Sequence, residues 1–457
     1  MRASGQGAAL AGPWWVSERA TGPVTEPEVV SGSLKRAQIE GAQSAVLELE
    51  KGWPMPKVPL MLLFRDTRDS SGPPRWWTLH VVSEGRLPYP LRVGLQQQRA
   101  THLEELGAVV QKFPDDLLLN GVAEATDARA ALPIVSSALP VEAGAFDALE
   151  AEVLTYKPGR RLTIRYRLHW SADVTTTVYG KCFPGGVDEQ ISGVTEALQE
   201  HVIRDQPAAL RLPRVVGRVS RWNMLLWKSR PGVSVHDLLG TERSEKAVEI
   251  AGQCLAELHR SSIDWPRVHD RSREIETLRA WIKAVATADV VGGGRIYRAF
   301  QRLMDWEPDE GDLVPSHRDF YDKQLLIDGR QGSLLDLETA TRAEPELDAA
   351  NFLAHLELRV LQGRRFGSSG LTGRFIDSYT DARSELHEER LLWYRASTLL
   401  RLSCVYFFRT KSRELADRLL VEVPGRQEDQ EAQCQTERRD AAQCKTVASS
   451  AASAASG

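Results

Sequence analysis

The 457-residue chain is 42% hydrophobic and 26% charged with a formal net charge of -4, an ordinary globular composition with room for two or three domains and sizeable cores. So small a net charge gives no overall electrostatic case for nucleic acid or an anionic membrane, and neither is expected as a partner. The five cysteines, Cys182, Cys254, Cys404, Cys434 and Cys444, are odd in number and lack C-x-x-C spacing, which indicates neither a disulfide framework nor a zinc site and fits a reducing cytoplasmic setting.

Residues 1–35 are rich in Gly, Ala, Ser, Pro and Glu without sustained periodicity and read as a flexible leader. The apolar stretch 8–16 is broken by Gly12 and Pro13, which makes it a poor signal peptide. The longest apolar run, 58–64, contains Pro59 and is too short to span a bilayer. Residues 36–148 read as an additional N-terminal α/β region. KVPLMLLFRD and RWWTLHVVSEG are strand-like around the turn-rich DSSGPP, and Trp76 and Trp77 are expected to pack against a neighbouring part of the chain. QQQRATHLEELGAVVQKF and TDARAALPIVSSAL are expected helices, broken by Pro114 and Pro133.

From residue 149 the pattern changes. AEVLTYK, RLTIRYRLHW and VTTTVYGKCF make a three-strand meander, with Leu162, Ile164, Tyr166, Leu168 and Trp170 alternating on one face and Arg165 and Arg167 on the other. In the turn Lys157-Pro158-Gly159-Arg160-Arg161, backbone amides and the guanidinium of Arg160 or Arg161 suit phosphate oxygens, and a surface turn with solvated arginines is an equal alternative. Ile191, Val194, Leu198 and Val202 then recur at helical spacing. LPRVVGRV and NMLLWKS add two strands around Ser220-Arg221-Trp222, for five in all, before SRPG breaks the pattern.

The remainder to residue 424 is mainly helical. SEKAVEIAGQCLAELHRS carries a stripe of Val248, Ala251, Leu255 and Leu258, with His259 as a packing histidine at its end. TLRAWIKAVA and RIYRAFQRLMDW bring Trp281, Phe300 and Trp306 to the core, and residues 352–360 and RLLWYRASTLLRLSCVYFFRTK continue the helices. Residues 425–457 contain a single branched aliphatic residue, Val447, and read as a disordered tail.

Residues 317–338 interrupt these helices. The short apolar runs 325–327 and 334–337 flank a turn holding Gly329 and Gly332, the pattern of a β-hairpin. Asp319 and Gln324 precede its first strand, and Asp336 and Glu338 end its second. Pairing the strands brings an acid, an amide and two further carboxylates to one edge, a cluster suited to a divalent cation and a hydroxyl proton.

His317-Arg318-Asp319 with Gln324 and the Asp336-Leu337-Glu338 triplet resembles the aminoglycoside phosphotransferase and small-molecule kinase superfamily, which shares its fold with protein kinases. The H-x-D-x-x-x-x-Q spacing is similar to its maltokinase branch. The resemblance implies an α+β, bilobal protein-kinase-like fold: a five-stranded antiparallel N-lobe over 149–232, a helical C-lobe with the catalytic loop over 233–424, and residues 36–148 as a cap-like region. It implies transfer of the γ-phosphate of ATP, with Mg2+, to a hydroxyl of a sugar, aminoglycoside or amino alcohol. Asp319 would be catalytic, Gln324 and Asp336 magnesium ligands, and Glu338 a support of the metal shell. Lys181 in VYGKCF matches the strand lysine that reaches the α and β phosphates, with Glu196, in preference to Glu200, as its partner. Gly159 and Arg160 would cover the nucleotide. The hinge would lie at 227–232, starting from Trp227, with Leu226 packing on adenine. Gln in place of the family's Asn departs from the pattern but still offers a carbonyl oxygen. Asp348, after Glu344-Pro345, would support the catalytic loop. Two alternatives stand beside this reading: a non-catalytic nucleotide-binding scaffold, and a protein kinase. The single-glycine turn, the DLE triplet and the six residues between Glu338 and Pro345 speak against the protein kinase.

Overall fold

In residues 47–112 alternate apolar side chains find partners on both faces of a sheet, which is why this region is strand-rich. The structure is a computed structural model describing residues 24–423, except 40–41, 43–44, 56–57, 69–74, 83–86, 141–145, 171–173, 186, 205–208, 264, 266, 367 and 384. It begins with α1 (Pro27–Arg36), β1 (Leu47–Met55), β2 (Val58–Asp66), β3 (Trp76–Val81), α2 (Tyr89–Gln96), β4 (Thr101–Leu103) and β5 (Ala108–Lys112). The five strands form an antiparallel sheet in the order β1-β2-β3-β5-β4. Along β2, Leu60, Leu62 and Phe64 enter a core shared with the C-terminal helices, and Met61 and Leu63 enter one shared with the next sheet. Trp77 and Trp76 divide in the same way, Trp76 packing on Phe113 and Tyr156 at ring-centroid distances of 5.1 and 5.5 Å.

Two expectations change here. The end of the expected leader is helix α1, because Pro27 sits in the first turn and Val30 and Leu34, one turn apart, are buried; residues 1–23 and the expected tail 425–457 lie outside the described residues. QQQRATHLEELGAVVQKF is not a helix. After Glu104–Leu106, Gly107 takes a left-handed φ of 56° and turns the chain back as β5, whose Val109 and Val110 suit a strand. Helices α3 (Val122–Thr126) and α4 (Ala128–Ala138) follow, and Pro133 lies inside α4 without ending it.

The second sheet is built from β6 (Ala148–Lys157), β7 (Arg161–His169) and β8 (Thr175–Cys182). After α5 (Val187–Arg204) and the short β9 (Leu210–Arg211) it is completed by β10 (Val215–Val219) and β11 (Met224–Lys228). Its order, β10-β11-β8-β7-β6, is antiparallel throughout, the five-stranded N-lobe expected. Leu162, Ile164, Tyr166 and Leu168 are buried toward the N-terminal region. On the other face Arg165 pairs with Glu152, and Arg167 reaches Glu150 at 3.0 Å. Gly121, at φ 66°, lies so close to the Trp222 indole that no side chain fits there, so the N-terminal region rests directly on the β10–β11 turn.

The C-lobe runs through β12 (Val233–Ser234), α6 (Val235–Leu238), α7 (Ser244–Arg260), α8 (Arg271–Ala288), α9 (Val290–Met304), β13 (Val314–Ser316), β14 (Leu325–Asp328), β15 (Gln331–Leu334) and β16 (Thr341–Ala343). It ends with α10 (Pro345–Leu361), α11 (Ser368–Ala382), α12 (Glu388–Phe407) and α13 (Glu414–Val421). Strands β14 and β15 are the expected hairpin, held in a four-stranded sheet of order β12-β14-β15-β9, and β13 pairs with β16 below it. Pro345 starts α10 because the first helical position requires no N–H donor. Arg271 and Glu344, both about 2% exposed, form a buried pair at 2.9 Å that also receives the Tyr394 hydroxyl. The molecule is thus an α+β, bilobal kinase-like fold whose N-terminal sheet shares one core with the N-lobe and another with the C-lobe helices. Among the described residues no helix is long and apolar enough to cross a membrane.

Candidate active site

The loop from His317 to Gln324 sits between β13 and β14 and is fixed by its backbone. Asp348, fully buried in the first turn of α10, accepts the amide N–H groups of His317 and Arg318, both at 2.6 Å. The Oδ2 atom that accepts the His317 amide also meets His259 Nε2 at 3.3 Å, and His259 Nδ1 accepts from the Tyr379 hydroxyl at 2.9 Å. Burial holds the His259 ring below its ordinary pKa, so it is a neutral packing group. His317 Nε2 donates to the Leu335 carbonyl at 2.7 Å, tying the loop to the second strand of the hairpin. Arg318 is consequently held at φ 68°, a left-handed conformation that a non-glycine residue adopts only when its surroundings impose it. Asp319 follows it, half-buried. Asp322, three residues on, is locked by Arg359 at 2.8 and 2.9 Å and by His236 at 2.6 Å.

The open end of the hairpin gathers the expected acids. Gln324 Nε2 donates to Asp336 Oδ2 at 3.1 Å, and Asp336 itself is left-handed at φ 62°. Lys181, on β8, forms an ion pair with Asp336 across the lobes; Arg161, the first residue of β7, pairs with Glu338 and lies 3.3 Å from Asp336. Burial and the neighbouring Arg161 and Lys157 cations push the Lys181 ammonium well below its ordinary value. Arg161, Lys181, Gln324, Asp336 and Glu338 line one interlobe cleft of about 350 Å³, together with Trp227 and, on the C-lobe side, Leu326 and Leu334, whereas Lys157 and Asp319 are not part of its lining.

Four placements differ from expectation. Glu196 is exposed on α5 and accepts from Ser192 at 2.9 Å, while Lys181 takes Asp336 as its partner; Glu196 falls between Val194 and Leu198, off the face that α5 turns inward. Gly159 does not face the cleft, because its N–H donates to Asp116 Oδ2 at 2.8 Å. Arg160 also lies outside it: successive side chains at the start of β7 point to opposite sides, so Arg161 enters the cleft and Arg160 a second cavity. Leu226 is buried in the core between the sheets, and its neighbour Trp227 lines the cleft, by the same alternation.

Lys157, at the end of β6, lies in the electrostatic field of Asp319. Burial, reinforced by the Arg161 cation and opposed by Asp319, pushes its ammonium down to about 7. Between that value and the ordinary 10.5 the unfolded chain binds more protons than the folded one, so this group makes stability rise with pH across that window. Lys157→Met removes the dependence. Its gain in melting temperature over the wild type should be largest at or below neutral pH and should shrink as pH rises toward the ordinary lysine value. A gain that stays constant across alkaline pH would contradict this.

The donor set fits a hard divalent cation. Asp336 and Glu338 supply carboxylate oxygens and Gln324 an amide oxygen along one wall of the cleft. That is the pattern of magnesium, which takes one or two carboxylates and completes its shell with substrate phosphates and water.

No curated protein matches the chain. Among solved structures it is similar to a choline kinase from Cryptosporidium parvum, with 12% identity, a TM-score of 0.48, and 67% of this chain and 97% of that one covered. It is also similar to a macrolide 2'-phosphotransferase from Brachybacterium faecium, with 16% identity, a TM-score of 0.40 and coverage of 65% and 99%. A choline kinase from Streptococcus pneumoniae shows 13% identity, a TM-score of 0.42 and coverage of 62% and 95%. Residues 166–393, which hold most of the N-lobe sheet, the catalytic loop and the hairpin, match the phosphotransferase enzyme family. With the HRD loop inside that match, residues 166–393 of this chain belong to the phosphotransferase enzyme family.

Proposed function

We propose that the protein transfers the γ-phosphoryl group of ATP to a hydroxyl group of a small molecule. The observation that carries this reading is the meeting, in one interlobe cleft, of the cations Lys181 and Arg161 with Asp336 and Glu338, beside the clamped loop bearing Asp319. Lys181 and Arg161 would exchange their carboxylates for phosphate oxygens of the bound nucleotide. Trp227 and Leu326 would hold the base between the lobes. Gln324 and Asp336 would hold Mg2+, with Glu338 supporting them, and the ion would neutralise charge on the phosphates. Asp319 orients the acceptor and takes its proton: the acceptor O–H bond breaks, the oxygen bonds to the γ-phosphorus, and the bridging P–O bond breaks to release ADP. Such catalysis rests on positioning and charge stabilisation.

The buried free thiols of Cys182, Cys254 and Cys404 suit a reducing compartment such as the cytoplasm. The test is magnesium-dependent ADP formation across a panel of sugars, amino alcohols, aminoglycosides and hydroxy acids. Acceptor-dependent turnover is expected. MgATP binding without turnover on any acceptor would favour a nucleotide-binding scaffold.

A further inference from the structure

A second cavity, of about 620 Å³, opens on the other side of the β6–β7 turn from the nucleotide cleft. Three parts of the chain wall it: the N-terminal region through Leu91 and Leu118, the turn through Arg160, and the C-lobe through Trp281 and Arg318, the residue that precedes Asp319. Its position beside the catalytic loop sets it apart from the wider acidic groove on the C-lobe around Glu357, Asp377 and Asp381, which borders no residue of that loop.

The charged side chains of this wall are Arg160, Arg318 and Asp116, and the Glu274 and Asp319 carboxylates also act on Arg318. Among the described residues neither the Arg160 nor the Arg318 guanidinium has a carboxylate ion pair; Arg318 makes only a 3.4 Å contact with the Thr277 hydroxyl. Burial, and for Arg160 the adjacent Arg161 cation, holds both guanidiniums below their ordinary range. The acid in the wall, Asp116, is already saturated: it accepts from the amides of Leu118, Leu119 and Gly159 and from the Tyr156 hydroxyl, all between 2.8 and 2.9 Å. It therefore offers no site for a cationic ligand. Two buried polar atoms in the wall, His80 Nε2 and Gln111 Oε1, make no hydrogen bond of ordinary geometry among the described residues although the two side chains interact with each other, and burial lowers the His80 pKa to about 4, leaving the ring neutral. Most of the remaining wall is apolar. Such a cavity calls for an anion between the two guanidiniums, a neutral polar group near His80 and Gln111, and an apolar body between them.

We infer that this cavity is the acceptor site, that the N-terminal sheet exists in part to build it, and that the acceptor is a hydroxyl compound carrying a carboxylate or phosphate group on an apolar body. The assignment rests on the phosphotransferase reading above and adds to it the chemical class of the acceptor. A polycationic acceptor such as an aminoglycoside is disfavoured by Arg160 and Arg318.

The experiment measures MgATP binding by calorimetry and acceptor KM by ADP release, using aryl and alkyl hydroxy acids, their phosphate analogues, neutral alcohols of equal size, and kanamycin. The anionic acceptors should have the lowest KM. Leu118→Trp, which fills the cavity from the N-terminal side, should raise their KM by about 10–100-fold with MgATP affinity unchanged. Arg160→Gln, which removes charge without adding volume, should raise KM by a similar factor for the anionic acceptors only, and it keeps the test open if the tryptophan variant fails to fold. Preference for neutral alcohols or kanamycin, turnover of no panel member with MgATP bound, or an acceptor KM untouched by both variants would each overturn the inference while leaving nucleotide binding intact. Failure of the wild type to bind MgATP would instead overturn the phosphotransferase reading, and the acceptor assignment with it.

Discussion

Asp319→Asn should lower turnover by about 10²–10⁴-fold while leaving MgATP affinity close to wild type. The carboxylate and the amide are nearly the same size, so the loop geometry set by Asp348 and His317 is retained. What the variant loses is a negative acceptor for the hydroxyl proton. The separation of kcat from nucleotide affinity is the informative part, because Lys181, Arg161 and Asp336 hold the donor end of the cleft without Asp319. Steady-state kinetics with calorimetry on the same preparation measures both. A turnover near wild type would remove Asp319 from the chemistry.

The second large effect is expected at Asp348. Its carboxylate caps two loop amides at 2.6 Å, is fully buried, and holds the turn in which Arg318 is left-handed. Asp348→Ala orphans both amides and deprives the neutral His259 of its acceptor, so the loop loses the contact that imposes its strain. A loss of about 2–5 kcal/mol in stability is expected, since each buried donor left unpaired costs about 1–3 kcal/mol. A fall in kcat should accompany it, because Asp319 is then no longer positioned. Urea denaturation read beside kcat separates the two effects, and Asp348→Asn, which keeps the volume and one good acceptor, should fall between wild type and alanine. An alanine variant of wild-type stability and turnover would show that the loop is held elsewhere.

The features legible in the sequence were those written locally. The hairpin announced itself through two apolar runs around Gly329 and Gly332 with acids at one end, and the N-lobe meander through its period of two. The kinase-like fold followed from their order. What escaped was set by parity and by distance. Arg161 faces the cleft because it shares the β7 face of Thr163, opposite Leu162 and Ile164, a parity the alternation already contained but the glycine of the turn drew attention away from. The partner of Lys181 came from the hairpin more than a hundred residues away, whereas the helix nearest in sequence turns Ile191 inward and leaves Glu196 in solvent. In QQQRATHLEELGAVVQKF the many helix formers outweighed Gly107, the one residue that signals the reversal. The second cavity draws on residues from Pro54 to Arg318, a set that shares no local pattern and comes together only when the N-terminal region packs beside the β6–β7 turn and the C-lobe.

Calorimetric titration of MgATP into the intact protein and into Asp336→Ala tests the central claim most directly. Saturable binding that depends on magnesium in the wild type and is lost in the variant is the predicted result. Asp336 contacts both Gln324 and the Lys181 ammonium, so on the proposed assignment its removal would take away a magnesium ligand and the register of the lysine together. No binding by the wild type, or binding by Asp336→Ala as tight as wild type, would contradict the assignment of this interlobe cleft as the nucleotide site.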